Sequence, residues 1–202
     1  MTDLSIFLEE HPYVDYSSPI IRAKAEELFP GADSPLERVR IAYEFVRDEI
    51  PHCFDLGSDV ITSRASDVLA RGTGICHSKA NLLAALLRGI RIPAGFCYQH
   101  ITLADDDSLG YCVHCYNAVY VSGRWIFLDA RGNTGARRAL FSPERPILAY
   151  RNRDGYDEYF WKGIYASPQM GVMRMLDAAT TRQDIVENLQ DYLEGEPDIL
   201  DW

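Results

Sequence analysis

Gly72-Thr73-Gly74-Ile75-Cys76-His77-Ser78-Lys79-Ala80 sets a cysteine behind two glycines at the head of an apolar run. The glycines break the chain. The spacing then predicts a helix from Ile75 or Cys76 to Arg88, ended by Gly89 and Pro93. Cys76, Ala80, Leu83 and Leu87 fall on one stripe with Leu82 and Leu86 beside it, so few positions are left for solvent and the helix should be central. A thiol in the first turn lies at the positive end of the helix dipole, which favours the thiolate, the nucleophilic form. The glycines let a substrate carbonyl approach the backbone. The unpartnered first-turn N–H groups can then receive an oxyanion.

Downstream the period changes from helical to alternating. Residues 94–103 read as a strand, and the Asp105-Asp106-Asp107 run as a solvated loop. Residues 113–121 and 124–129 are two further strands, joined through Ser122-Gly123 as a hairpin. A two-residue turn pairs Val121 with Arg124, Tyr120 with Trp125, Ala118 with Phe127 and Tyr116 with Asp129. That register puts His114 and Asp129 on one face as diagonal neighbours within reach of a hydrogen bond. Asp129 ends an apolar strand, where a carboxylate needs a partner. Cys76, His114 and Asp129 thus suit the roles of nucleophile, base and orienter.

Other residues invite chemistry less strongly. His52 and His100 are alternative bases or oxyanion donors, each more simply read as a hydrogen-bonded residue at the end of an element. Gln99 could donate to an oxyanion. Arg131, Arg137 and Arg138 could bind an anionic substrate end, although a solvated basic loop is the plainer reading. Cys112-Val113-His114-Cys115 suggests a zinc knuckle, but positions 112 and 115 of a strand point to opposite faces and no second Cys-x-x-Cys exists. The aromatic cluster from Tyr150 to Tyr165 is read as core first and as a cleft wall second.

Working upstream, Ser18-Pro19 starts a helix that runs to about Leu28. Ser34-Pro35-Leu36-Glu37 is a capping box opening a helix that buries Leu36, Val39, Tyr43, Val46 and Ile50. A short helix covers 66–71. Residues 130–168 give no clear period. Residues 181–193 read as an amphipathic helix with Ile185, Leu189 and Tyr192 inward. Helices followed by an antiparallel sheet define an α+β fold.

The chain has 202 residues, 47% hydrophobic and 25% charged, as expected of one globular domain spanning residues 1–202. Its net charge of -10 argues against nucleic acid and anionic membranes as partners. From Gln183 to Trp202 there are seven acids and no Lys or Arg, while residues 1–182 hold 23 acids against 20 bases. The acidity therefore belongs mainly to a helix and tail over residues 181–202. No apolar run approaches the ~20 residues a membrane span needs, and the N-terminus lacks the pattern of a secretory signal. Five cysteines then read as free thiols in a cytoplasmic protein.

The quoted segment, continuing through Leu82-Leu83-Ala84-Ala85-Leu86-Leu87-Arg88 to Ile90-Arg91-Ile92-Pro93-Ala94, resembles the nucleophile segment of the transglutaminase-like superfamily. The strands His114-Cys115-Tyr116-Asn117-Ala118-Val119-Tyr120 and Trp125-Ile126-Phe127-Leu128-Asp129 look like that family's histidine and aspartate strands. The match covers about residues 34–131. It implies a papain-like α+β core, with the nucleophile helix packed on an antiparallel sheet and catalytic Cys76, His114 and Asp129. It also implies a peptide or amide substrate and a thioester acyl-enzyme. No metal or cofactor is expected, because the chain has no room for the extra domains of the family's large calcium-using members and Asp105–Asp107 lacks a calcium-loop ligand pattern. Many members carry an acidic or aromatic pair after the nucleophile, a Trp after the histidine and a proline after the aspartate. Here those places hold His77-Ser78, Cys115-Tyr116 and Ala130-Arg131, which bears on substrate class more than on the triad. Hydrolysis is expected ahead of protein cross-linking. The rival expectation is a non-enzymatic binding module on the same fold, with the acidic C-terminal segment and the aromatic cluster as its partner surface.

Overall fold

The computed structural model describes residues 3–135 and 137–200. A 3₁₀ turn, Leu4–Leu8, precedes five helices: α1 (Pro19–Leu28), α2 (Pro35–Glu49), α3 (Cys53–Leu56), α4 (Ala65–Arg71) and α5 (Cys76–Gly89). Strands β1 (Ala94–Thr102), β2 (Tyr111–Val121), β3 (Arg124–Leu128) and β4 (Tyr159–Phe160) follow, then α6 (Met170–Ala178) and α7 (Arg182–Asn188). The sheet has the order β3-β2-β1-β4 and every pairing is antiparallel. The fold is α+β, with the N-terminal helices packed on the sheet.

The capping and periodicity of the sequence explain the helices. Ser34 Oγ accepts the Glu37 N–H at 3.1 Å and Pro35 takes the first helical position. Val39, Tyr43 and Val46 of α2 are buried against α5. Helix α5 is central: every residue from His77 to Arg88 is buried. Leu82, Leu83, Leu86 and Leu87 are wholly buried, so truncating any one to alanine should cost about 2–5 kcal/mol. On the sheet the same core takes Phe96, Val113, Val119, Ile126 and Leu128. The opposite face is covered by Phe7, Ile164 and Ile199, packed with Tyr116 and Ala118. Cover on both faces explains why all nine residues of β1 are buried rather than alternate ones.

The hairpin turns through Ser122 and Gly123, both at positive φ (55° and 81°), the geometry that matches strand twist. Its register is the expected one, from Val121 opposite Arg124 to Asn117 opposite Leu128. The ladder stops there, so the expected Tyr116–Asp129 pair does not form. Asp129 instead turns out of the strand and its carboxylate binds the N–H groups of Arg131 and Ala149.

Arg88, at the end of α5, is buried, and among the described residues no carboxylate pairs with it. Its guanidinium donates to the carbonyls of Glu9, Ala94 and Ala166 and so ties the N-terminal segment, β1 and the C-terminal part of the chain to one point.

The C-terminal expectation needs correction. Helix α7 ends at Asn188, and Tyr192 is 53% exposed rather than inward. The Gln190 carbonyl accepts the Val113 N–H at 2.9 Å, which draws the chain out of the helix onto the start of β2. The acidic stretch beyond is laid back on the fold. Ile199 pairs with Ile164, and Glu194 meets Arg174. Asp201 and Trp202, the end of the expected tail, lie outside the described residues. Helix α6 had no sequence expectation. Among the described residues no helix is long and apolar enough to cross a membrane.

Candidate active site

Three elements converge on one cleft of about 750 Å³, lined among others by His52, Cys76, His114, Arg131 and Tyr150. Cys76 is the first residue of α5. Gly72, at φ +66°, closes α4 in the left-handed conformation that favours glycine. Gly74 has a different reason from the one expected. It is buried, and a Cβ there would collide with the Ser78 hydroxyl and crowd Thr62, so its role is packing rather than substrate approach. The Ser78 hydroxyl in turn accepts the Ile75 N–H at 3.1 Å, and Gly74 C=O accepts the Cys53 N–H. The start of α5 is thereby fixed, with its first-turn N–H groups lacking intrahelical acceptors.

His114 and Asp129 are both buried, and His114 Nε2–H donates to Asp129 Oδ2 at 2.8 Å. Asp129 is held by two further N–H donors, so its carboxylate cannot swing away. The imidazole also lies near enough to the Cys76 thiol for each to shift the titration of the other. With Nε2 committed to Asp129, Nδ1 is the atom left for sulfur. The structure therefore brings Cys76, His114 and Asp129 together, with a hydrogen bond between the last two.

Their electrostatics reinforce one another. Burial alone would push the Cys76 thiol up, but the His114 charge and the Cys115 N–H outweigh it and the thiol titrates below its ordinary value. His114 shows the converse. Burial disfavours its charged form, yet Asp129 and Cys76 raise its pKa well above the ordinary value. Asp129 is depressed because His114 and the two N–H donors outweigh its burial. The other four cysteines are buried while Cys76 is partly exposed. Burial pushes Cys53 up to about 11 and Cys112 up to about 12, and it raises Cys97 and Cys115 too.

The remaining sequence candidates divide. His100 is sandwiched between Tyr111 and Tyr159 and bonds the Asp157 carbonyl, a packing role. Gln99 is wholly buried, and its amide nitrogen donates to Asn152 Oδ1 and to the Tyr150 carbonyl. His52 caps α3 and also lines the cleft. Its Nδ1 accepts the Phe54 N–H, which leaves the proton on Nε2, and burial keeps the ring neutral. Cys112 lines the cleft whereas Cys115 is in the core. Arg131 is not a solvated loop residue. It is buried and forms a two-pronged ion pair with Asp55, and its Nε–H donates to Tyr150 Oη at 3.1 Å. The aromatic cluster splits: Tyr150 stands edge-on to His114 at 4.8 Å and walls the cleft, while Tyr165 packs on Tyr98 in the core.

Two residues of the site were not anticipated. His77 is buried and donates from Nε2 to the Val113 carbonyl at 2.9 Å, joining α5 to β2. Lys79 is wholly buried and donates to the Arg131 carbonyl at 3.0 Å, which steadies the turn after Asp129. A lysine on a helix with so few solvent positions was the available signal for the second. Nothing local marked the first.

With this geometry in place, comparison with known proteins gives a consistent answer. The family model of the transglutaminase-like superfamily core matches residues 22–130, and the chain belongs to that superfamily. A solved structure from Cytophaga hutchinsonii, named a "putative cysteine protease", is similar in fold with a TM-score of 0.52 and 22% sequence identity. The similarity covers 65% of this chain and 43% of that one. Among curated proteins no sequence matches the chain.

Proposed function

We propose that the chain is a cysteine-dependent amide hydrolase whose catalytic residues are Cys76, His114 and Asp129, acting within one transglutaminase-like domain. The observation that carries this reading is the buried His114–Asp129 hydrogen bond next to Cys76, the partly exposed cysteine that shares the cleft with His114 and whose thiol the His114 charge favours as thiolate.

The Cys76 thiolate attacks an amide carbonyl. The C–S bond forms as the carbonyl π pair moves onto oxygen, and the first-turn N–H groups of α5 receive that oxyanion. His52, neutral and with its proton on Nε2, is a further donor lining the cleft. The oxyanion then collapses, the C–N bond breaks, and the His114 imidazolium gives its Nδ1 proton to the leaving amine. The product is a thioester on Cys76. His114, now neutral, takes a proton from water as the water attacks the thioester. Collapse releases the carboxylic acid and restores the thiolate–imidazolium pair. Asp129 keeps the ring oriented and stabilises its charge throughout. Cys76 is partly exposed, so water reaches the thioester and resolves it. A nucleophilic thiolate of this kind persists in a reducing compartment, in keeping with a cytoplasmic location.

Mass spectrometry of the protein after exposure to a cell lysate tests the reading. An acyl adduct on Cys76, absent in Cys76→Ala and discharged by water to a free acid, is the expected result. Discharge mainly to an added primary amine would shift the second step to acyl transfer. Full biological activity in Cys76→Ala would overturn catalysis in favour of a binding module on the same fold.

A further inference from the structure

The cleft is positively charged in a chain of net charge -10. Five arginines line it against two carboxylates, Asp105 and Glu158. Two of the five have structural partners. Arg131 is committed to Asp55 and Tyr150, and Arg153 to Glu158 and to the Asp105 carbonyl. Glu158 is saturated in return, since it also accepts the N–H groups of Thr102 and Arg153.

That leaves Arg137, Arg138 and Arg151. Among the described residues none of the three has a carboxylate partner. Arg138 donates only to the carbonyls of Gly135 and Arg137. Arg137 lies over the Tyr150 ring, 5.4 Å from its centroid, and the same ring meets His114 edge-on at 4.8 Å. One aromatic ring therefore separates an uncompensated guanidinium from the imidazole. Leu103, Leu109, Val186 and Leu189 line the same cleft and lower its dielectric, so the field of these cations is focused there rather than dispersed.

Resting on the reading of Cys76 as nucleophile, we propose that the substrate is an acidic amide. It carries a carboxylate, and the Arg137, Arg138 and Arg151 side of the cleft receives it. A guanidinium presents paired donors that fit a carboxylate fork, which favours this anion over a neutral amide side chain of the same shape. The acidity of the rest of the surface is consistent with such a substrate, because it leaves the cleft as the place where an anion is attracted.

Alkylation of Cys76 by two reagents that differ only in charge tests this without a known substrate. Iodoacetate is anionic and iodoacetamide neutral, and peptide mapping follows each at Cys76. The iodoacetate-to-iodoacetamide rate ratio in the wild type should fall about fivefold in the triple variant Arg137→Gln, Arg138→Gln, Arg151→Gln, and also in high salt. Arg151→Gln alone, at an exposed position, should lower the ratio in the same direction and serves if the triple variant folds poorly. A ratio identical in wild type and variants overturns the proposal even if Cys76 reacts fast. A Cys76 slow toward both reagents in every protein overturns the nucleophile reading, and the proposal with it, so the two failures are distinguishable.

Discussion

His77 Nε2 lies 2.9 Å from the carbonyl oxygen of Val113. The bond joins the residue after Cys76 to the residue before His114, and so sets the distance between two elements that the chain itself does not connect. Burial holds the His77 pKa down to about 4, so the ring is a neutral donor. Between about 4 and the ordinary 6.5, the unfolded chain binds a proton at His77 that the folded chain does not. Stability from this group is therefore full above pH 6.5 and is lost as pH falls toward 4.

His77→Phe should remove that acid-side loss and leave the Val113 carbonyl unpaired. Denaturant melts should show a variant less stable at neutral pH by about 1–3 kcal/mol, with a flatter slope between pH 6.5 and 4. Cys76 alkylation should slow as well. Equal slopes for the two proteins would remove His77 from the account.

Lys79 makes a pH prediction of the same sign in a more alkaline window. Burial, with the Arg131 charge beside it, lowers its pKa to about 7 against an ordinary 10.5. Across that window the unfolded chain carries a proton that the folded chain lacks, so this group's contribution to stability rises with pH. Relative to Lys79→Met, the wild type should gain on the order of 4 kcal/mol between pH 7 and 10 in paired melts. Parallel curves would contradict a lysine held neutral by burial.

Asp129→Asn tests the orienting carboxylate. Asp129 accepts from His114, Arg131 and Ala149, and an amide has one oxygen where the carboxylate has two. Thioester formation should drop by a factor of about 10² or more while the variant stays folded. The ultraviolet absorbance of the Cys76 thiolate should fall in parallel, because without the carboxylate His114 gives up its proton more readily and the thiolate loses its cation. A drop in rate with the thiolate signal intact would confine Asp129 to a structural role.

Much of this site was legible in the sequence for physical reasons. The α5 stripe is long and strongly periodic, and the Ser122-Gly123 turn leaves one register for β2 and β3. The register brings the end of β3 alongside His114, and the turn of Asp129 out of the strand, which the register does not show, completes the approach. What was not legible depends on contacts distant in the chain. Residues 130–168 take their course from single bonds such as that of Ala149 N–H to Asp129, which leave no periodic trace. The C-terminal helix ends early because β2 captures the Gln190 carbonyl, which overrides a good amphipathic pattern. Arg131 read as solvated because its partner, Asp55, lies far away in sequence. Gly74 was assigned to substrate approach because sequence shows that a side chain is missing, not which neighbour fills the space.

The central claim is that Cys76 rests as a thiolate paired with the His114 imidazolium. The pH dependence of iodoacetamide alkylation, read site by site with Cys53 and Cys97 as internal references, tests it most directly. The account predicts fast labelling of Cys76 through the neutral range, with an apparent pKa below the ordinary 9.0 and a return toward that value in His114→Ala. A Cys76 that labels no faster than Cys53 or Cys97, or whose rate rises only near the ordinary thiol value, would contradict it.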